Sequence, residues 1–315
     1  MQYQNIKIKK RFFHLVMVLM IVIYFVSLLL NHNETKQTQN ININSISTKP
    51  PITNTQTPTP GMKQTLAETV GQELKGTVGD YAVAIKNLKT QEVYFLNEHR
   101  QFLSTSLYKL WVMATIFRKI DEGKLTLDET ITQDVAVLNT KFRISTESAE
   151  QTEGTISYTV KYALNKMITI SDNYSAFLLV EKIGLSSVDS FLAKFGFRDS
   201  RVGIDGSAPI TTVYDMTLFF EKLYRNQLAD PASTSYMINL LKKQSLNSKI
   251  PKYLPKNTMV AHKTGELDKF NHDAGIVYAP KGDYLIAVLT ESSYPGYAVE
   301  NIAKISKAVY EYFAK

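Results

Sequence analysis

The 315-residue sequence predicts an α/β (α+β) domain: one antiparallel sheet carrying helices, interrupted by a long helical insertion. Three observations point there. Strand-like alternation is confined to the two ends of residues 62–315. Helical periodicity fills the stretch between them. Apolar residues make up 44% of the chain and charged residues 21%, enough for a sizeable core.

Met62, Leu66, Val70 and Leu74 recur at i+4 and predict a first amphipathic helix. Residues 80–87 and 91–97 alternate apolar and polar around Leu88–Thr90, the pattern of a hairpin. Strand-like runs return at 257–263, 273–279 and 283–290, with Lys281-Gly282 as a turn signal before the last. A final helix presents Ala298, Ile302, Ile305, Val309 and Phe313 on one face. The middle, about 106–245, reads as almost entirely helical. Val160, Ala163, Leu164, Met167 and Ile168 mark one helix. Met216, Phe219, Phe220 and Leu223 mark another, opened by a capping box of Thr212 and Asp215. The simplest packing joins early and late strands in one sheet, with the first and last helices on one face. A cleft then falls between sheet and insertion.

Ahead of this domain lie two segments of different composition. Residues 12–30 form a 19-residue apolar run interrupted only by His14 and Ser27, preceded by Lys7, Lys9, Lys10 and Arg11. At about 1.5 Å per residue the run matches one bilayer core. The basic cluster predicts a cytoplasmic N-terminus and a domain outside the membrane, periplasmic or extracellular. A cleaved signal peptide is the competing reading, but the run is long for one and lacks an Ala-x-Ala site. Residues 31–61 read as a flexible linker, with Asn, Gln and Thr at 16 of the 30 positions from 31 to 60 and four prolines.

Several classes drop out. With no cysteine there is no disulfide, thiolate nucleophile, Cys-ligated zinc, Fe–S cluster or lipid-bearing lipobox. Four of the seven net positive charges sit in the short arm before the apolar run, so the charge argues little for nucleic acid. No His/Asp/Glu spacing suggests a metal and no glycine-rich loop suggests a phosphate. Neither a metal nor a cofactor is expected, and a monomer is.

Ser106-Leu107-Tyr108-Lys109 is the one Ser-x-x-Lys in the chain and opens a helix running to about Ile120, with Leu110, Met113 and Phe117 inward. Residues three apart share a helical face, so Lys109 lies within reach of a hydroxyl that needs a base to become a nucleophile. Such a spacing arises by chance about once in a chain of this size. Ser171-Asp172-Asn173 falls in a helix–helix turn. There the triplet reads either as a helix cap or as a proton shuttle (Ser171) with an amide clamp on substrate (Asn173). Lys263-Thr264-Gly265 ends a strand-like run. It reads either as a basic turn or as a cleft edge with a fixed cation, a hydroxyl donor and a glycine that lets substrate approach the backbone.

Together and in this order, the three motifs resemble those of the class A β-lactamase and penicillin-binding protein family of serine hydrolases. The similarity extends over nearly all of 64–315, through FLSTSLYKLWVMATIFRKIDEGKLTLDETI, YTVKYALNKMITISDNYSAFLLVEKIG and IPKYLPKNTMVAHKTGEL. The resemblance implies a β-lactamase/transpeptidase-like fold, with a five-stranded antiparallel sheet flanked by helices and an all-helical subdomain. It implies acyl transfer from a β-lactam or a peptidoglycan stem peptide. Ser106 would be the nucleophile, Lys109 the base or part of its relay, Ser171 the proton carrier to the leaving nitrogen, and Lys263 the cation holding the local field. The backbone N–H groups of Ser106 and Glu266 would form the oxyanion hole, Thr264 would meet the substrate carboxylate, and His272 stands where many class A enzymes present an arginine to it. One departure bears on the outcome. The stretch Phe195–Thr212 lacks the Glu-x-x-Leu-Asn loop whose glutamate activates the deacylating water, and offers only Asp199 and Asp205, both read as turn residues. Three activities therefore remain: a β-lactam hydrolase, a slow one if deacylation is unaided; a D-alanyl-D-alanine carboxypeptidase that β-lactams acylate; and a non-catalytic β-lactam sensor.

Overall fold

Five strands pair in the order β2-β1-β5-β4-β3 within one antiparallel sheet of the computed structural model, which describes residues 64–314; here β1 is Asp80–Asn87, β2 Val93–Leu96, β3 Met259–Leu267, β4 Phe270–Tyr278 and β5 Tyr284–Glu291. The expected anchor (1–30), linker (31–61) and Met62 lie outside the described residues. Among the described residues no helix is long and apolar enough to cross a membrane.

The register joins the two ends of the domain: Asp80 lies opposite Glu291 and Asn87 opposite Tyr284. The two faces of the sheet differ in composition. Ala82, Ala84, Ala261, Ala274 and Ala287 point into the core shared with the insertion. Val83, Ile85, Val260, Val277, Ile286 and Val288 point into a second core, under helices α1 (Leu66–Leu74) and α9 (Pro295–Ala314). The alanines of the insertion face stand among Ile276, Leu285 and Leu289, whereas β-branched residues predominate on the face under the terminal helices. Helix α1 begins at a reciprocal cap: the Thr65 hydroxyl accepts from the Glu68 N–H (3.2 Å) and the Glu68 carboxylate accepts from the Thr65 N–H (2.8 Å).

The insertion is built around α2 (Tyr108–Asp121). Every residue from Lys109 to Phe117 is buried, so α2 is a central helix rather than the one-faced amphipathic helix expected. Around it lie α3 (Val135–Lys141), α4 (Val160–Thr169), α5 (Asn173–Ile183), α6 (Leu185–Phe195), α7 (Val213–Tyr224) and α8 (Pro231–Lys242). Short strands that were not expected occur in the insertion and just before it. Thr130–Asp134 pairs with Thr155–Thr159, and Phe102–Leu103 pairs with Ile210–Thr211. The α7 cap departs from the expected box as well. Thr212 accepts from the Asp215 N–H (3.2 Å), but the buried Asp215 carboxylate accepts from Ser200 Oγ (2.8 Å) and the Asp199 N–H (3.0 Å) instead of returning to Thr212.

Residues 64–142 and 153–314 form one compact unit. Arg143–Thr152 is a turn-rich segment in which the N–H groups of Ser148 and Ala149 donate to the Ser145 carbonyl.

Candidate active site

The nucleophile candidate Ser106 is half-buried in a single 3₁₀ turn, Thr105–Leu107, that leads directly into α2. The turn is held in an unusual conformation. Thr105 has φ +47°, a left-handed value that a β-branched residue rarely adopts, and its hydroxyl is buried without a hydrogen-bond partner. Such local strain persists where the surroundings over-determine it. Here the surroundings are β3 and the short ribbon behind the turn. A Cβ placed on Gly265 would lie 2.0 Å from Thr105 Oγ1 and 3.2 Å from the Ser104 carbonyl, and the Ser104 N–H donates to the Pro209 carbonyl (2.8 Å). This corrects the expected role of Gly265. Its bare face is filled by the Ser106 turn and is not left open to a ligand.

One turn along, Lys109 is fully buried. Its ammonium donates to the Ser171 carbonyl, to Asn173 Oδ1 (2.9 Å) and, at 3.3 Å, to Ser171 Oγ. Ser171 sits between α4 and α5 at φ +60°, again left-handed, which turns both its carbonyl and its hydroxyl toward α2. Asp172 caps α5, its carboxylate accepting from the Ser175 N–H (2.7 Å). Cap and site thus occupy one triplet, Asp172 serving the helix while Ser171 and Asn173 serve Lys109. Asn173 commits its amide oxygen to the lysine, so that atom is engaged within the protein.

The third element is Lys263, on β3. Its fully buried ammonium donates to Ser171 Oγ (2.9 Å) and to the Thr264 carbonyl (2.9 Å). The KTG triplet lies inside β3, which runs on to Leu267, and does not end the strand as its sequence pattern suggested. Burial, and then the nearby charge of Lys109, hold the Lys263 amine well below the ordinary lysine range. Three segments far apart in sequence thus converge on one hydroxyl. A serine oxygen has two lone pairs and one proton. With both ammoniums donating to Ser171 Oγ, its own O–H is left to donate outward.

On the opposite face of β3, His262 is buried, with Nδ1 2.8 Å from Asp273 Oδ1 and Nε2 3.0 Å from Asn247 Oδ1. Asp273 also accepts from the Ile250 N–H (3.0 Å). His272 overturns an expectation. It is fully buried, its Nε2 donates to the Leu103 carbonyl (2.8 Å), and its Nδ1 accepts from the Thr290 N–H (3.2 Å). Burial pushes its pKa down to about 4. A neutral ring with both nitrogens engaged by backbone offers a substrate carboxylate neither charge nor donor. The two acids of the 195–212 stretch are tied up locally. Asp205 Oδ1 accepts from the Ser207 N–H (3.0 Å), and Asp199 pairs with His99 (2.7 Å).

The family model for the beta-lactamase enzyme family matches residues 63–313. The chain belongs to that family. Among its curated relatives in the β-lactamase family, VEB-1 of Pseudomonas aeruginosa is 23% identical over 263 residues, covering 76% of this chain and 87% of the relative. A β-lactamase of Bacteroides uniformis is 25% identical over 247 residues, covering 68% and 80%. Solved structures share the fold: a β-lactamase of Sphaerobacter thermophilus superposes with a TM-score of 0.70 at 24% identity, covering 79% of this chain and 97% of that one. PBP-A superposes with a TM-score of 0.69 at 21% identity, covering 79% and 96%. Within the β-lactamase-like framework, three residues have structural weight that their sequence context did not signal: Thr105, Asp273 and Lys249. Lys249 is fully buried in the segment before β3 and pairs with the Glu266 carboxylate. For Thr105 the available signal was only its place before the nucleophile. For the other two there was none short of the fold.

Proposed function

We propose that the protein is a membrane-anchored serine hydrolase acting outside the cytoplasm, acylated at Ser106 by β-lactams and releasing the opened drug slowly. The observation that supports this reading best is the Ser171 hydroxyl held between the ammoniums of Lys109 and Lys263. In the acylation step Ser106 Oγ attacks the lactam carbonyl carbon, with the N–H groups of Ser106 and Glu266 facing the developing oxyanion. The C–N bond then breaks. The Ser171 O–H gives its proton to the leaving nitrogen and is reprotonated by the Lys109 ammonium, and the amine so formed takes the Ser106 proton, so that in net one proton moves from Ser106 to the nitrogen. Lys263 holds the field around that hydroxyl, and Thr264 receives the substrate carboxylate. Hydrolysis of the resulting ester needs a water and a base. Neither Asp199 nor Asp205 is disposed as one, each being committed to a local partner.

That lack favours a second reading, a D-alanyl-D-alanine carboxypeptidase for which β-lactams are long-lived acylating inhibitors. One solved neighbour of the same fold, a PBP-A variant, is an acyl-enzyme complex with penicillin G. The apolar run at 12–30, following a basic arm, supports the anchor in either case. The test is intact-mass spectrometry of the full-length protein with penicillin G over time. A drug-sized adduct on wild type and none on Ser106→Ala is expected. Decay of the adduct within minutes supports the hydrolase, persistence for hours the carboxypeptidase. An adduct on Ser106→Ala, or none on wild type, would overturn the assignment of the nucleophile.

A further inference from the structure

Helices α4 and α8 enclose a groove of about 510 Å³ that the acyl-transfer chemistry does not use. Lys161, Tyr162 and Asn165 line it from α4, and Tyr236, Asn239 and Lys243 from α8 and the residue after it. No acid lines it, so its two ammoniums give it a positive sign. Among the described residues, the side chains of Lys161, Asn165, Asn239 and Lys243 have no hydrogen-bond or ion-pair partner. The rings, in contrast, are held by neighbours. Tyr162 meets Tyr158 edge-on with centroids 4.8 Å apart and is still 51% exposed, and Tyr236 packs on Phe117 of α2 at 5.3 Å. Fixed aromatic rings beside uncommitted amides and ammoniums bind at little ordering cost. The chemistry they match is that of an acidic sugar chain. A pyranose offers an apolar C–H face to a tyrosine ring and hydroxyl or acetamido groups to an amide, and a carboxylate answers an ammonium.

The groove also has a direction. Thr169 lies one turn beyond Asn165 on the same side of α4. There the two helices are tied together: the Ser245 N–H and Oγ both donate to the Thr169 carbonyl (2.9 Å each), and Gln244 Nε2 donates to the Ile168 carbonyl (2.8 Å). Ser171 follows two residues after Thr169. The groove therefore leads along α4 toward the turn that carries the acyl-transfer hydroxyl. A ligand that occupies the groove and also reaches that turn is a polymer, not a drug-sized molecule.

We propose that the α4/α8 groove is a glycan-binding site: it holds the sugar chain of a peptidoglycan strand, with pyranose rings against Tyr162 and Tyr236 and carboxylates of the attached peptides at Lys161 and Lys243. The inference rests on the carboxypeptidase reading for its occupant and adds a second site to it, apart from the acyl-transfer centre. Benzylpenicillin is too small to span both and acylates Ser106 without using the groove.

The test is co-sedimentation of the full-length Ser106→Ala protein, which leaves the peptide uncut, with peptidoglycan sacculi stripped of phosphate-bearing polymers. The double variant Lys161→Gln/Lys243→Gln is expected to weaken binding about tenfold, the upper range for two exposed ionic contacts. Tyr162→Ala should weaken it about threefold, and Tyr162→Phe, which keeps the ring, less than about twofold. Lys75→Gln/Lys304→Gln removes the same charge from exposed positions after α1 and on α9 and should stay within about twofold of the parent. With Ser106 restored, the groove variants should be acylated by benzylpenicillin within about twofold of wild type. Equal losses in the two lysine pairs, binding only to unstripped sacculi, no binding at all, or penicillin acylation that falls as far as co-sedimentation does would overturn the groove. The two readings fail separately. A wild type that takes no penicillin adduct removes acyl transfer, while co-sedimentation of the variants, which needs no acylation, still decides the groove.

Discussion

The two faces of β3 set buried basic groups in opposite surroundings. On the face toward the insertion, the Lys263 ammonium rests on two neutral oxygens, Ser171 Oγ and the Thr264 carbonyl, with Lys109 bonded to the same hydroxyl. On the other face each basic group has an acid: His262 has Asp273 and Lys249 has Glu266. Burial, and then the charge of Lys109, hold the Lys263 amine below the ordinary lysine range, whereas on the other face each basic group is tied to a carboxylate that fixes its position. Alternation along one strand thereby puts Lys263 and the acid-paired His262 on opposite faces.

The comparison breaks most sharply if Lys263 is replaced. Lys263→Met should slow acylation about 10²–10⁴-fold, the usual worth of positioned acid–base help, without lowering the melting temperature at pH 7. The wild-type sign follows from linkage. The folded state binds the Lys263 proton less tightly than the unfolded state, so between the lowered folded value and the ordinary 10.5 the unfolded chain holds more protons and stability rises with pH. That rise should be missing from Lys263→Met in unfolding titrations. Asp273→Asn probes the opposite face. It weakens the acceptor for the buried His262 ring and the Ile250 N–H, and a loss of about 1.5–3 kcal/mol in denaturant unfolding is expected, with acylation by the folded protein far less affected than in Lys263→Met. An Asp273→Asn protein of full stability would show that the two faces do not differ as described.

His272 sharpens the distinction on the acid side. Its folded pKa of about 4 lies below the ordinary 6.5, so it folds neutral, and stability is lost as pH falls from 6.5 toward 4. The loss should reach about 3 kcal/mol near pH 4 and be absent from the pH dependence of His272→Gln. Gly265→Ala should cost about 1–3 kcal/mol of stability for an overpacked contact. Its Cβ would lie 2.0 Å from Thr105 Oγ1, so acylation should fall further than unfolding suggests. Fluorescent-penicillin labelling set beside the melting temperature separates the two.

The sheet, the terminal helices and the three motifs were legible because each is a local pattern. Asp80–Asn87 and Tyr284–Glu291 read as strands from their own residues, and each triplet is contiguous. Residues 130–134 and 155–159 were not legible as strands, because each buries a single isoleucine, Ile131 or Ile156, too little apolar surface to write an alternation. His272 was misassigned for a different reason. Its position on a strand near the site follows from sequence, but its neutrality depends on the Leu103 carbonyl and the Thr290 N–H, which only the folded backbone brings to it. Lys249 lies in a segment with no periodicity, and its burial comes from the segment being pinned to β3 and β4 at Asn247 and Ile250.

Strand β1 is made early and completed late. Its hairpin partner β2 follows at once, but its other edge is covered only by β5, near the end of the chain. During synthesis the ribbon must therefore wait, one row of amides unsatisfied, while the whole insertion emerges, an interval in which intermolecular pairing competes with self-completion. Long-range closure of this kind sets a slow folding clock. Because Lys263 arrives with the same late segment, penicillin labelling would time-stamp the moment the last strands dock and make drug capture a readout of finished molecules in the cell.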